Sequence, residues 1–209
     1  MLPDFVATIQ KQLSKPLPGQ AAQLKMANAF RRTEPEDLNK IQVASTLLLL
    51  YQKDDHWYFP LIQRTSNNPN DRHSGQIAFP GGKQEATDLD FEMTAVREAE
   101  EEIGVSANDI TILGALTDLY IPVSNFMVYP YVGYLPYVPQ FTKQQSEVVE
   151  VLEIALLDLQ NPNNQKKKEI NLAQGIRLKD VPYFDIQAKT IWGATAMMLS
   201  EFLEVIDGV

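Results

Sequence analysis

The chain has 209 residues, 44% of them hydrophobic and 22% charged, enough apolar material for one folded domain with an N-terminal extension. Its net charge of −9 leaves no excess of lysine and arginine to neutralise a phosphate backbone, which argues against a nucleic-acid partner. With no cysteine there is no disulfide, thiolate metal site or thiol nucleophile, and a cytoplasmic location is expected.

The first residues, MLPDFVATIQKQLSK, lack the basic and apolar blocks of a signal peptide. The longest apolar run, Leu47-Leu48-Leu49-Leu50-Tyr51, is too short to cross a bilayer, so no membrane partner is expected. Residues 3–14 read as an amphipathic helix with Phe5, Ile9 and Leu13 on one face, ended by Pro16, Pro18 and Gly19. Residues 20–30 suggest another turn or two of helix, and 31–40 a polar loop. This extension, 1–40, carries no legible chemistry. It is expected to cover part of the core or to make a subunit contact, as in a homodimer.

The main domain, 41–209, begins with a strand over Gln42–Tyr51. Its hairpin partner is Trp57–Arg64, and Lys53-Asp54-Asp55-His56 forms the turn. A loop rich in Asn, Pro, Asp and Ser follows from Arg64 to Gly75. In it Arg64, Arg72 and His73 are candidate phosphate contacts, because guanidinium groups bind phosphate in a fork. Gly81 and Gly82, in Phe79-Pro80-Gly81-Gly82, permit a tight turn or close approach of backbone to a ligand. Lys83 follows, facing phosphate or solvent.

The next segment reads as a helix, with apolar Met93, Val96, Ala99 and Ile103 at three- and four-residue steps. Asp88 or Asp90 is its expected cap, and Gly104 stands at the C-terminal cap position. Glu98, Glu101 and Glu102 lie at i, i+3 and i+4, on one helix face. Such a crowd of carboxylates repels itself unless a cation sits among them, and hard divalent ions with oxygen ligands suit it. A run of glutamates alone reads equally as a solvated face. Arg97, four residues before Glu101, can pair with it.

Gly82, Asp88 and the run Arg97-Glu98-Ala99-Glu100-Glu101-Glu102-Ile103-Gly104-Val105 resemble the Nudix box. Two positions depart from the general form: the early acid is Asp88 instead of Glu, and the gap from Asp88 to Arg97 is a residue longer. Both departures are similar to the coenzyme A diphosphatase branch of the family, as are Leu61-Ile62-Gln63-Arg64, His73-Ser74-Gly75 and Phe79-Pro80-Gly81-Gly82. In the branch signature Thr65 replaces the usual Ser or Ala, and Asp71, beside Arg72, falls where the second arginine stands.

Further on, Asp109–Leu116 reads as a strand, Thr117–Asn125 as a loop and Phe126–Leu135 as another strand. Tyr120, Ile121 and Pro122 suit a pocket floor or, more simply, core under a loop. Leu152–Leu159 reads as strand and short helix, Asn161–Glu169 as a polar loop with a solvated lysine run, and Ile176–Phe184 and Lys189–Trp192 as strands. Gly193–Ile206 is a closing helix with a broad apolar face.

The resemblance implies an α/β Nudix fold, a mixed β-sheet sandwiched between helices. It implies hydrolysis of a nucleoside diphosphate linked to another group, with Mg²⁺ or Mn²⁺ as cofactor. Glu98, Glu101 and Glu102 would be the metal ligands and Arg97 would orient them. Glu147, ahead of an aliphatic pair, would help activate water, with Glu150 second. Within the coenzyme A branch, the small-molecule substrate is coenzyme A or a derivative, and the products are 3′,5′-ADP and 4′-phosphopantetheine. The rivals are a Nudix hydrolase of ADP-ribose or a dinucleotide such as NADH, and a non-catalytic Nudix-like binding module. Such modules often lose a box glutamate, and this chain keeps all three.

Overall fold

The computed structural model describes residues 2–29, 31–35, 37–66, 73–171 and 177–207. In chain order the elements are α1 (Asp4–Leu13), α2 (Gly19–Leu24), β1 (Gln42–Lys53), β2 (His56–Arg64), β3 (Ile77–Ala78), β4 (Gly81–Lys83) and α3 (Phe91–Ile103). There follow β5 (Thr111–Ala115), β6 (Leu119–Ile121), β7 (Phe126–Tyr134), β8 (Val148–Ala155), α4 (Leu156–Gln160), β9 (Gln165–Asn171), β10 (Arg177–Ile186), β11 (Lys189–Trp192) and α5 (Gly193–Val205).

Strand β1 is the spine of a mixed sheet. It runs parallel to β7 from the Gln42↔Phe126 pair to Leu50↔Tyr134, and its far end forms a hairpin with β2 over Tyr51↔Tyr58 to Lys53↔His56. Asp54 and Asp55 turn that hairpin at φ 49° and 61°, a conformation in which Asp is among the better-tolerated non-glycine residues. Beyond the hairpin end β1 and β2 take different partners. β4 pairs with β1 from Ala44↔Lys83 to Thr46↔Gly81, and β3 pairs with β2 at Ile62↔Ala78 and Gln63↔Ile77. The Phe79-Pro80 corner thus bridges the divergence, and Leu47 N–H donates to the Pro80 carbonyl at 2.9 Å. This places the glycine turn against the central strand β1.

The leucine run of β1 is buried on both faces, as expected for a central strand covered on both sides. Leu48 and Leu50 join one core with α1 and α5, while Leu47, Leu49 and Tyr51 join another with Ala95, Ala99 and Ile103 of α3. The sheet is therefore sandwiched between helices. From α1, Val6, Ile9 and Leu13 enter the first of these cores, with Phe202 and Leu199 of α5. No described helix is long and apolar enough to cross a membrane.

Two segments read as loops contain strands. Leu119–Ile121 forms the short strand β6 on β7, too brief for an alternating pattern to register. The lysine run lies on β9, an outer strand of the small sheet β11-β10-β9. There Lys166 pairs with Asp185 at 2.7 Å and Lys168 lies 4.7 Å from the Tyr183 ring centre. Lysine is a common residue on sheet edges, where it discourages pairing with other chains.

Candidate active site

Helix α3 starts at Asp90, whose Oδ1 accepts Met93 N–H at 2.7 Å, and stops at Gly104, at φ 72°. These caps fix the axial position of the glutamates against β4. Glu102 is 1% exposed. Its Oε2 accepts the Gly81 N–H at 2.8 Å, and its Oε1 has no hydrogen-bond donor among the described residues. Arg64 Nη1, from the last residue of β2, stands 3.9 Å from Oε1, close enough for charge attraction and too far for a hydrogen bond. Burial pushes the Glu102 carboxyl up to about 8, against the pull of the Gly81 N–H and Arg64.

Glu98, one turn earlier, lies over Gly82. A Cβ on Gly82 would sit 2.4–2.5 Å from its carboxylate atoms, so only glycine leaves the carboxylate room to lie here. Burial raises Glu98 too, the Arg97 guanidinium lowers it, and the charges of Glu101 and Glu147 raise it again. The Glu147 charge also raises Glu102. Glu147 reaches this cluster because the backbone is tied across: Thr65 N–H donates to the Glu147 carbonyl at 2.8 Å, just before β8 begins.

Arg97 organises the opposite side. Its Nε and Nη2 each meet Asp88 at 2.9 Å, its Nη1 donates to Glu98 Oε1 at 2.9 Å and Glu101 Oε2 at 3.3 Å, and Nη2 reaches the Lys83 carbonyl at 3.2 Å. The fork onto Asp88 is the strong bidentate arrangement. It holds Asp88 well below the usual carboxylate range and Arg97 above its own. Asp88 is fixed in turn by Thr94 Oγ1 at 3.0 Å and Glu85 N–H at 2.9 Å. Asp88 thus anchors the arginine, and Asp90 caps the helix.

The other predicted site residues are dispersed. His73 is held between Gln76 Oε1, 3.2 Å from Nδ1, and Ser124 Oγ, 2.9 Å from Nε2, in the β6–β7 turn. Lys83 ends β4 with its side chain exposed. Glu150 pairs with Lys189 at 2.7 Å. Arg72 lies outside the described residues. Tyr120 is 7% exposed, and its carbonyl accepts Arg31 Nη2 at 2.6 Å. Two groups with buried polar atoms were missed in the sequence. Glu201 of α5 accepts Gly19 N–H at 3.1 Å, Gln23 Nε2 at 2.9 Å and Thr117 Oγ1 at 2.6 Å. Arg31, in the extension, has a buried Nε with no hydrogen-bond partner among the described residues. Both depend on contacts remote in sequence that no local pattern announces.

The NUDIX domain profile matches residues 41–176. Similar proteins named "uncharacterized Nudix hydrolase NudL" occur in Pectobacterium atrosepticum, 31% identical over 137 residues (65% of this chain, 70% of that protein), and in Yersinia enterocolitica, 32% identical over 147 residues (70% and 73%). The chain belongs to the Nudix hydrolase family. Among solved structures, a Nudix hydrolase from M. smegmatis, RenU, shares the fold at TM-score 0.54 and 15% identity, over 80% of this chain and 87% of that one. A MutT/nudix family protein from Enterococcus faecalis does so at TM-score 0.50 and 16% identity, over 99% and 76%.

Nudix hydrolases act on nucleoside diphosphate derivatives with divalent metal ions, and the carboxylates here fit a cation. Glu102 presents a buried oxygen to which no described residue donates, and repulsion among Glu98, Glu102 and Glu147 is only partly offset by Arg64 and Arg97. Among the described residues no three acidic or histidine side chains converge as a ready ligand set. Arg97 already engages one oxygen each of Glu98 and Glu101.

Proposed function

We propose that this Nudix hydrolase cleaves the pyrophosphate of coenzyme A or its derivatives into 3′,5′-ADP and 4′-phosphopantetheine. The observation that carries this reading is the approach to the glycine turn. Leu61–Arg64, His73–Gly75 and Phe79–Gly82 resemble the coenzyme A branch, and Arg64 of that segment points at the buried Glu102 carboxylate. Glu98, Glu101 and Glu102 would hold Mg²⁺ or Mn²⁺. The cation supplies charge neutralisation at phosphate oxygens and a lowered pKa for coordinated water.

The chain's own groups divide the remaining work. Arg97, locked on Asp88, keeps Glu98 and Glu101 in one orientation. Gly81 and Gly82 leave the backbone bare beside the carboxylates, and Lys83 and Arg64 offer positive charge to the diphosphate, with His73 and Arg72 on the preceding loop. Glu147 accepts the proton as a water oxygen attacks phosphorus and the bridging P–O bond breaks, its electron pair leaving with the departing phosphate. The test is hydrolysis of coenzyme A, ADP-ribose and NADH with Mg²⁺ or Mn²⁺, products identified by mass. Preferential release of 3′,5′-ADP from coenzyme A is expected. Preference for ADP-ribose or NADH would overturn the substrate and keep the Nudix chemistry.

A further inference from the structure

Both departures from the general box lie beneath Arg97: the early acid is the shorter Asp88, and its gap to Arg97 is a residue longer. The Arg97 fork fixes the two side chains to each other at 2.9 Å on both oxygens. Each still rides on rotatable bonds, so a pair joined only to itself can swing as a unit. Thr94, one turn before Arg97 on α3, ties the carboxylate to the helix. It is 0% exposed, and its Oγ1 lies 3.0 Å from Asp88 Oδ2 and 3.2 Å from the Asp90 carbonyl. The hydroxyl has one proton for these two acceptors. The fork holds Asp88 ionised, and an ionised oxygen is the stronger acceptor, so the proton goes to Asp88.

The bond matters because of what Arg97 holds on its other side. Nη1 donates to Glu98 Oε1 at 2.9 Å and to Glu101 Oε2 at 3.3 Å. The guanidinium is a rigid plane, so a turn of the Asp88 carboxylate is passed on to both glutamates. The remaining donor to that carboxylate among the described residues, Glu85 N–H at 2.9 Å, belongs to the loop before the helix. Thr94 is therefore the group that sets Asp88 relative to the helix carrying the glutamates. We infer that Thr94 is a positioning residue that acts through Asp88 and Arg97 to orient Glu98 and Glu101 for the cation. This rests on the cation site proposed above. It gives a buried hydroxyl outside that site a part in metal binding and turnover.

The test uses the full chain with Thr94→Val, which removes the hydroxyl at nearly constant shape, Thr94→Ser, which keeps it, and Asp88→Asn with and without Thr94→Val. Thr94→Ala repeats the deletion with a smaller side chain, in case the valine variant does not fold. Three quantities are read: Mn²⁺ affinity by calorimetry, kcat and KM for whichever of coenzyme A, ADP-ribose and NADH wild type hydrolyses fastest, and exchange of the Arg97 Nε–H with water by NMR. Thr94→Val and Thr94→Ala are expected to weaken Mn²⁺ binding and lower kcat roughly tenfold or more, the scale of one charge-assisted hydrogen bond. KM should change little, and Nε–H exchange should speed up. Thr94→Ser should recover most of each loss. In Asp88→Asn, adding Thr94→Val should change little, because the group it acts through is already disabled. Wild-type behaviour of the valine and alanine variants, a serine variant as impaired as valine, or losses that multiply in the double variant would overturn the inference. Multiplying losses are the result expected if Thr94 serves only the helix start through the Asp90 carbonyl. If Nε–H exchange speeds up in Thr94→Val while wild type binds no Mn²⁺, the hold of Thr94 on Arg97 stands and the cation reading fails. If wild type and Thr94→Val bind Mn²⁺ alike with Nε–H exchange unchanged, the cation site stands and Thr94 has no positioning role.

Discussion

Adjacent glycines at 81 and 82 should respond to the same substitution in opposite ways. A Cβ on Gly81 would lie 2.3 Å from the Ser45 carbonyl oxygen and 2.7 Å from Thr46 Cα, with φ at 156°. Those neighbours are backbone of the central strand and have nowhere to go. Strain of about 1–3 kcal/mol for the conformation and about 1–3 kcal/mol for the overlap together take a large share of a net stability of about 5–15 kcal/mol. At about 2–4 °C per kcal/mol, Gly81→Ala should lower Tm by roughly 4–24 °C. At Gly82 the obstacle is the Glu98 carboxylate, the end of a flexible side chain. Glu98 can swing away, giving up its Arg97 contact at 2.9 Å, at a cost of about 1 kcal/mol. Gly82→Ala should therefore keep Tm within about 4 °C and lose turnover by about a hundredfold or more, the scale of one misplaced catalytic group. The assay pairs thermal unfolding with metal-dependent hydrolysis on both variants. A Gly82→Ala protein with near wild-type turnover would refute the reasoning, because it would mean that the position of Glu98 does not matter. So would a Gly81→Ala protein as stable as wild type.

Glu101→Gln should fold normally and lose turnover, since it keeps the shape of a half-exposed side chain and removes the charge proposed to hold the cation; substantial activity in the folded variant would sink that role. Glu102→Gln should change the pH dependence of the metal-free protein. With Glu102 raised from 4.5 to about 8, the folded state keeps a proton the unfolded chain loses, so stability falls as pH rises through that window. Urea titrations from pH 5 to 9 in chelator should show that slope flattened in the variant, and an unchanged slope would contradict the burial argument. Glu201→Ala strips the acceptor from Gly19, Gln23 and Thr117. A loss of about 3–5 kcal/mol is expected, since several buried donors lose their acceptor at about 1–3 kcal/mol each, read as a Tm drop of roughly 6–20 °C, and a change within 3 °C would show that the network is not holding the extension.

The box was legible because its chemistry is local: one helix presents its glutamates at three- and four-residue spacing, and the turn that receives them lies just upstream. The β1–β2 hairpin and the closing helix were legible from apolar pattern and turn residues. Asp88 illustrates the limit. It matched the box and was offered as a cap, yet the cap is Asp90, and only packing shows Asp88 buried beneath Arg97 with Thr94 and Glu85 closing around it. Strand β9 escaped because its polar sequence carries no core face, and its partners Asp185 and Tyr183 come from the next strand. Glu102 and Glu101 look identical in sequence. In the fold one is sealed against Gly81 and the other is half-exposed on Arg97.

The two faces of the sheet have different origins in the chain. The α3 face, with its glycine turn and carboxylates, lies within the family-matched residues 41–176. The opposite face is covered by α1 from before that region and α5 from after it, with α2 packed on α5. These flanking segments are joined to each other through Glu201 with Gly19 and Gln23, and through Ser200 Oγ donating to the Ala22 carbonyl at 2.8 Å. Thr117, just ahead of β6, donates to the same Glu201 carboxylate. The position of the extension against β6 therefore depends on a buried acid in the last helix, and Arg31 inherits that position. Loosening Glu201 should then blunt the Arg31 contact while leaving the Asp88–Arg97–glutamate array intact, because no hydrogen bond or ion pair between described residues links the two networks directly.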